Sequence, residues 1–348
     1  MRYEYIFLTQ EVKSGSHLKS ISGGNGKPLK IREVYVGRDG KPVLVWQKGV
    51  GKRYICHKTS KLTYYSADLI TWHEMSGCTD SVWLNPVYGN GILFASYGGK
   101  SYVSRDGKIW NKLENITDRL EKTVFGNGIF QCVQSVTGGV ITFLRSTDGI
   151  QWDSYSFDSG YASSAASSQL FFANNLFILI LRLSTGYYAI YTSADGMEWK
   201  KVSAFKGDTA GIYSFETLYY ACGKYIIASY MNAIQVESRK IMYSTDLVTW
   251  TQCQGSATNL PSVRSVTYGK GKIILCTHNG YHRYSTDGVN WIFGSSVDSN
   301  TLTCCIFADD RFVGVGGKNI YVSTDAVSWE QVSVSPYKTV FSKKMYTG

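Results

Sequence analysis

Proline is scarce in this 348-residue sequence, at five residues, so nearly every stretch keeps the N–H groups that strand pairing needs. No apolar run is long enough for a membrane-spanning helix. The most hydrophobic window, Leu170 to Leu183, is split by Asn174 and Asn175 and predicts a hairpin, so membrane insertion is not expected. The first ten residues carry Glu4 and too short an apolar run for a secretory signal, and synthesis in a cytoplasm is the expectation. Eight cysteines show no CxxC pair and no framework spacing, which points to reduced thiols used as small apolar residues. A P-loop, a GxSxG elbow and an HExxH helix are all missing, which removes support for the enzyme classes that these motifs define. The densest ligand cluster is Cys276, His278 and His282. It straddles Asn279-Gly280, which reads as a turn, and lacks a fourth ligand, so neither a metal nor a cofactor is expected.

What the sequence does have is repetition. Seven of its nine tryptophans, Trp72, Trp110, Trp152, Trp199, Trp250, Trp291 and Trp329, have Asp four residues before them and Ser six before. The aspartates are Asp68, Asp106, Asp148, Asp195, Asp246, Asp287 and Asp325; the serines are Ser66, Ser104, Ser146, Ser193, Ser244, Ser285 and Ser323. Successive aspartates lie 38, 42, 47, 51, 41 and 38 residues apart, a self-similarity that marks a repeat protein.

Within each unit the apolar period is two. Stretches such as I-L-F-A-S-Y and I-I-L-C-T are short, rich in β-branched and aromatic residues, and bounded by glycine. A second motif precedes each Trp: Y-G-N-G at Tyr88, F-G-N-G at Phe125, F-A-N-N at Phe172, Y-G-K-G at Tyr268 and F-A-D-D at Phe307, with Ala221 to Lys224 and Gly37 to Gly40 filling the slot in the other two units. Asn-Gly and its relatives supply the positive φ of a tight hairpin. Each unit thus reads as four antiparallel strands in roughly 40 residues, which is one blade of a β-propeller. The fold class is all-β: a seven-bladed propeller of four-stranded antiparallel blades, with the Asp-containing turn between the third and fourth strand. Residues 31–335 form the propeller, 1–30 an N-terminal strand or arm, and 336–348 a C-terminal strand that could close the ring.

Ser and Asp, two apart, project from one side of the third strand and can accept hydrogen bonds from the following turn. Gly follows Asp in four units, where φ above zero suits it; Leu69, Leu247 and Ala326 replace it in the others, and those three turns are expected to differ. The Trp is large enough to fill the wedge between blades.

Ser-x-Asp-Gly-x-x-Trp resembles the Asp box, or bacterial neuraminidase repeat. Its pairing with Y-G-N-G turns is similar to largely uncharacterised propeller proteins of bacteria and tailed phages, over about residues 35 to 335. The resemblance implies the propeller fold and a structural role for the seven boxes. Function is left open, because Asp boxes occur in sialidases, xyloglucanases, sorting receptors, photosystem assembly factors and phage tail proteins. The chain departs from the sialidase pattern in its blade count and in its scattered arginines, so no catalytic residue is assigned. The reading is non-enzymatic: a virion protein of a phage tail or fibre, made in the host cytoplasm, that recognises a host-surface glycan or docks other virion proteins. The alternatives are a bacterial lectin, a divergent, sialidase-like glycoside hydrolase and a basic intracellular scaffold that binds nucleic acid; the alternative location is the bacterial cytoplasm.

Binding is expected on the face that carries the variable loops. Asp153 to Gln169, Tyr230 to Lys240 and Cys78 to Asn85 break the repeat, and Trp83, Tyr161, Tyr187, Tyr188, Glu237, Arg239, His278 and His282 are the candidate contacts. The 26 tyrosines fit either cross-strand pairs or a surface adapted to sugars and proteins. Formal net charge is +10, and between Lys27 and Lys61 ten basic residues face two acidic ones. Lys48, Lys52, Arg53 and Lys58 in this first unit form a basic patch, read as a dock for an acidic polymer or as lysine protection of a sheet edge. Oligomeric state is not legible.

Overall fold

The computed structural model describes residues 4–8, 31–38, 41–47, 54–58, 63–77, 86–114, 116, 120, 122–161, 165–207, 215, 217–230, 239–255, 263–277, 282–294, 302–316, 319–334 and 341–347. Six four-stranded antiparallel sheets, and a seventh in which Gln254–Gly255 adds in parallel to the outer strand Asn290–Phe293, make an all-β propeller of seven blades. Blade 3 is representative: inner strand Val124–Gly126, second Ile129–Thr137, third Val140–Ser146 and outer Asp153–Asp158. The strands alternate direction, so inner hairpins and Ser-x-Asp turns emerge on one end of the ring, here the turn face. Second-to-third loops and crossovers between blades emerge on the other, the loop face.

Blade 1 is assembled from distant parts of the chain. Its inner strand is Phe341–Thr347, antiparallel to Tyr54–Lys58 with Thr347 opposite Tyr54, followed by Thr63–Ser66 and His73–Glu74. The hairpin expected to open this blade, Ile31–Arg38 with Lys41–Gln47, lies instead in a separate three-stranded sheet beside Glu4–Leu8, which runs parallel to Ile31–Arg38. The reason is topological: only one inner position adjoins Tyr54–Lys58, and the C-terminal strand occupies it.

The core is spread between blades. Between blades 3 and 4, Ile141, Phe143, Phe177, Leu179, Ala189 and Tyr191 are buried together, at about 25 cal/mol per Å² of apolar surface removed from water. The residue three after each repeated Trp shares a core with the Trp of the next blade: Leu113 with Trp152, Val202 with Trp250, Val332 with Trp72. In other blades it supplies an acceptor. The Trp110 indole donates to Met75 Sδ at 2.9 Å, the Trp199 indole to the Tyr155 hydroxyl, and the Trp291 indole meets the Cys253 thiol. In blade 6 the position is Gly294, where a Cβ would overlap the His282 ring at 1.8 Å; His282 instead meets Trp329 edge-on, centroids 5.7 Å apart.

All seven Ser-x-Asp turns share one hydrogen-bond pattern. In blade 6, Ser285 Oγ accepts from Gly288 N at 2.9 Å and donates to Asp287 Oδ1, which also accepts from Val289 N and Asn290 N at 2.8 Å. The three turns without glycine do not differ. Leu69, Leu247 and Ala326 hold φ of 69, 64 and 65°, like the 69 to 77° of the four glycines, and their N–H groups reach the serine at 2.8 to 2.9 Å. Burial offsets the left-handed strain, since Leu69, Leu247 and Ala326 all lie in inter-blade cores.

Two outcomes follow for chemical denaturation. Ser285→Ala, which strips a buried acceptor from the turn, should cost about 1–2 kcal/mol. Leu247→Gly should also destabilise, by about 2 kcal/mol, because lost burial outweighs relief of about 1 kcal/mol of strain. A stabilised Leu247→Gly protein would refute the burial account.

Candidate functional site

The turn face is tied together side chain by side chain. Each inner hairpin places two residues at positive φ, as in Asn90-Gly91 (48 and 76°) and Asn127-Gly128 (48 and 80°), the backbone of a type I′ turn. The first of the two reaches the next blade. Asn90 Nδ2 donates to Gly128 O and Thr147 O at 2.9 and 2.8 Å; Asn127 Nδ2 donates to Asn175 O and Ala194 O at 3.0 and 2.7 Å. Asn174 bonds the Tyr225 hydroxyl, Cys222 Sγ the Thr286 carbonyl, and Lys270 pairs with Asp310 at 3.1 Å. At the closure, the Tyr54 hydroxyl of blade 1 donates to Asp309 of blade 7 at 2.5 Å. The preceding glycines have a related reason: a Cβ on Gly89, Gly126 or Gly269 would meet Phe125, Phe172 or Phe307 of the next blade within about 2 Å.

The repeated carboxylates each accept hydrogen bonds from their own turn. Backbone N–H donation, from Thr71 to Asp68 and from Val327 to Asp325, holds both carboxyls down at about 2. Asp246 is lowered for the same reason. At Asp106, Asp148, Asp195 and Asp287 burial pushes upward, but the turn's N–H groups together outweigh it and the net shift is downward.

The loop-face candidates are only partly brought together. Tyr187 is 43% exposed at the start of the third strand of blade 4. Tyr161 is half-buried in the crossover into the same blade, with Lys201 Nζ 4.6 Å from its ring centroid. Two other candidates turn out to be core. Tyr188 is buried and stacks on Phe205 at 5.8 Å, and desolvation raises its hydroxyl. His282, expected in a loop beside Asn279-Gly280, is the first residue of the strand His282–Ser285. It is buried opposite Cys276, and burial pulls its imidazole down to about 4. Arg239 begins the third strand of blade 5, and Lys58 ends the second strand of blade 1. Trp83, Glu237, His278, Lys48, Lys52 and Arg53 lie outside the described residues.

Sequence reasoning passed over Arg283. It is buried in the third strand of blade 6, its Cζ 4.6 Å from the Phe293 ring centroid, and burial lowers its guanidinium to about 10. The signal was present in the aligned repeats: two residues before the serine, blades 1, 2, 4 and 7 carry Tyr64, Tyr102, Tyr191 and Tyr321. The thiols Cys132, Cys253, Cys276, Cys304 and Cys305 are buried; burial raises Cys253 to about 12 and Cys305 strongly, beside Cys276.

Known structures place this arrangement among propellers. YCF48 bound to D1 peptide is similar with a TM-score of 0.53 at 15% identity, over 84% of this chain and 89% of that one. YCF48 from Cyanidioschyzon merolae gives 0.50 at 14% identity, over 81% and 90%. The Pyrococcus horikoshii acylaminoacyl peptidase gives 0.51 at 9% identity, over 80% of this chain and 51% of that one. The likeness is one of fold. No family model matches the chain, and no curated protein matches it in sequence.

Acid should unfold the ring in two stages. His282 ionises near 6.5 when unfolded and at about 4 when folded, so its contribution is complete above about pH 6.5 and falls by about 3 kcal/mol on the way to pH 4. The aspartates are depressed in the fold, so theirs is present above about pH 4 and is lost as pH falls towards 2. Denaturation midpoints measured from pH 7 to 2 should show both stages, with the upper one missing in His282→Gln.

Proposed function

We propose that this propeller is a non-enzymatic binding module of a phage virion, a tail or fibre component that recognises a host-surface glycan through its loop face. The observation that carries this reading is the asymmetry of the two faces. Side chains of the turn face bond to the neighbouring blade, as Asn90 and Asn127 do, while Tyr161, Tyr230 and Arg239, described residues of two segments that break the repeat, stand at the opposite ends of the strands. Exposed Tyr187 and half-buried Tyr161, backed by Lys201, suit a sugar: a flat apolar ring with polar groups at its rim. The virion setting comes from the resemblance of the repeats to phage propellers.

Docking of other virion proteins is the second reading. The same fold holds a D1 peptide in YCF48, so a protein segment is a natural occupant for such a ring. The basic segment around Lys48, Lys52, Arg53 and Lys58 adds a dock for acidic polymers, which would weaken steeply with salt.

A glycan array at low and physiological salt separates these readings. Salt-resistant binding to a defined sugar is expected, unchanged when the four basic residues are neutralised and reduced at least about tenfold in Tyr187→Ala. Binding that disappears with the four charges would move the ligand to blade 1, and no glycan binding at either salt would favour docking to proteins.

A further inference from the structure

Outer strands are the exposed edges of a propeller, and most of these are short. Those of blades 1, 2 and 5 (His73–Glu74, Asn111–Lys112, Thr251–Gln252) have two residues and that of blade 7 (Glu330–Val334) five, while the four-residue outer strand of blade 6 (Asn290–Phe293) is covered by Gln254–Gly255, paired to it in parallel. Short edges offer little backbone for unwanted pairing. Blades 3 and 4, which are neighbours, differ. Their outer strands Asp153–Asp158 and Lys200–Lys206 have six and seven residues, and each stands at the edge of its sheet among the described residues.

The two edges carry opposite charge. On blade 3 the sequence D-S-Y-S-F-D exposes Asp153, Ser154, Ser156 and Asp158 and contains no lysine and no proline. On blade 4, K-K-V-S-A-F-K exposes Lys200, Lys201 and Lys206, and a bulge at Val202 interrupts its register between Ile190 and Tyr191. Lysines and a bulge would by themselves be ordinary edge protection. An unprotected acidic edge beside a basic one is different, because the pair is complementary to itself.

We propose that these two edges form an interface between two copies of this chain, with the acidic strand of blade 3 in each copy lying against the lysine strand of blade 4 in the other. The symmetry fits. All outer strands run from the turn face to the loop face, so a two-fold axis parallel to the ring axis keeps their direction and exchanges left for right. Blade 3 then faces blade 4 twice in one closed, isologous contact. Asp153 and Lys200 both lie at the turn-face end of their strands, and Asp158 and Lys206 at the loop-face end, so opposite charges meet at both ends of each contact.

Sedimentation velocity across about 1–100 µM protein tests this at about 50 mM and 500 mM salt. A dimer is expected at low salt, with its dissociation constant at least about tenfold weaker at high salt. Asp153→Lys with Asp158→Lys makes both edges basic, and Lys200→Glu with Lys201→Glu and Lys206→Glu makes both acidic. Each variant alone should be monomeric, and an equimolar mixture should restore a one-to-one dimer. That rescue also shows that both variants are folded. A wild-type chain that stays monomeric throughout overturns the proposal, as do variants that dimerise like wild type, a mixture that does not associate, or an edge that captures an added extended peptide but not a second copy.

Discussion

A four-stranded blade is apolar on both faces and has no partner within itself, so every blade depends on the ring being closed. Closure rests on one non-local pairing, Phe341–Thr347 against Tyr54–Lys58, backed by the bond from the Tyr54 hydroxyl to Asp309. Without that strand, Tyr54–Lys58 would carry a bare edge at the centre of the ring, and the core joining blades 7 and 1, with Tyr64, Trp72, Val313 and Ile320, would be open to water. Pairings of such sequence separation are costly in loop entropy and form late, so blade 1 is the part of the ring whose assembly the rest must wait for.

What could be read from the sequence was what is local. Ser, Asp and Trp at fixed spacing are bound by contacts within a single turn, so seven of these turns announced seven blades. The Asn-Gly hairpins were legible for the same reason. The inner strand of blade 1 was not, because its partner lies nearly three hundred residues away, and the nearer hairpin at 31–47 offered a plausible substitute. Leu69, Leu247 and Ala326 misled in another way: propensity argues against positive φ at these residues, and only the tertiary burial of their side chains shows why it is tolerated.

The candidate site was less legible than the fold. His282 and Tyr188 have the polar character of binding residues, yet both pack between blades, and a single sequence cannot distinguish a wet imidazole from a dry one. Tyr187 and Tyr161 stay near the surface because they sit where the chain leaves the sheet. Binding residues in such a ring occupy the segments least constrained by the repeat, and a segment free of the repeat gives no pattern from which to infer its partner.

The inter-blade bonds of the turn face mostly end on main-chain oxygens: Gly128, Thr147, Asn175, Ala194 and Thr286 all accept through their carbonyls. A carbonyl is present whatever the side chain, so the donor of one blade does not need to know the sequence of the next. A whole repeat duplicated by recombination would carry its own donor and find acceptors already waiting on its new neighbour. Rings built this way can gain, lose or exchange blades over evolutionary time while each interface survives, and their loops are left to diverge independently.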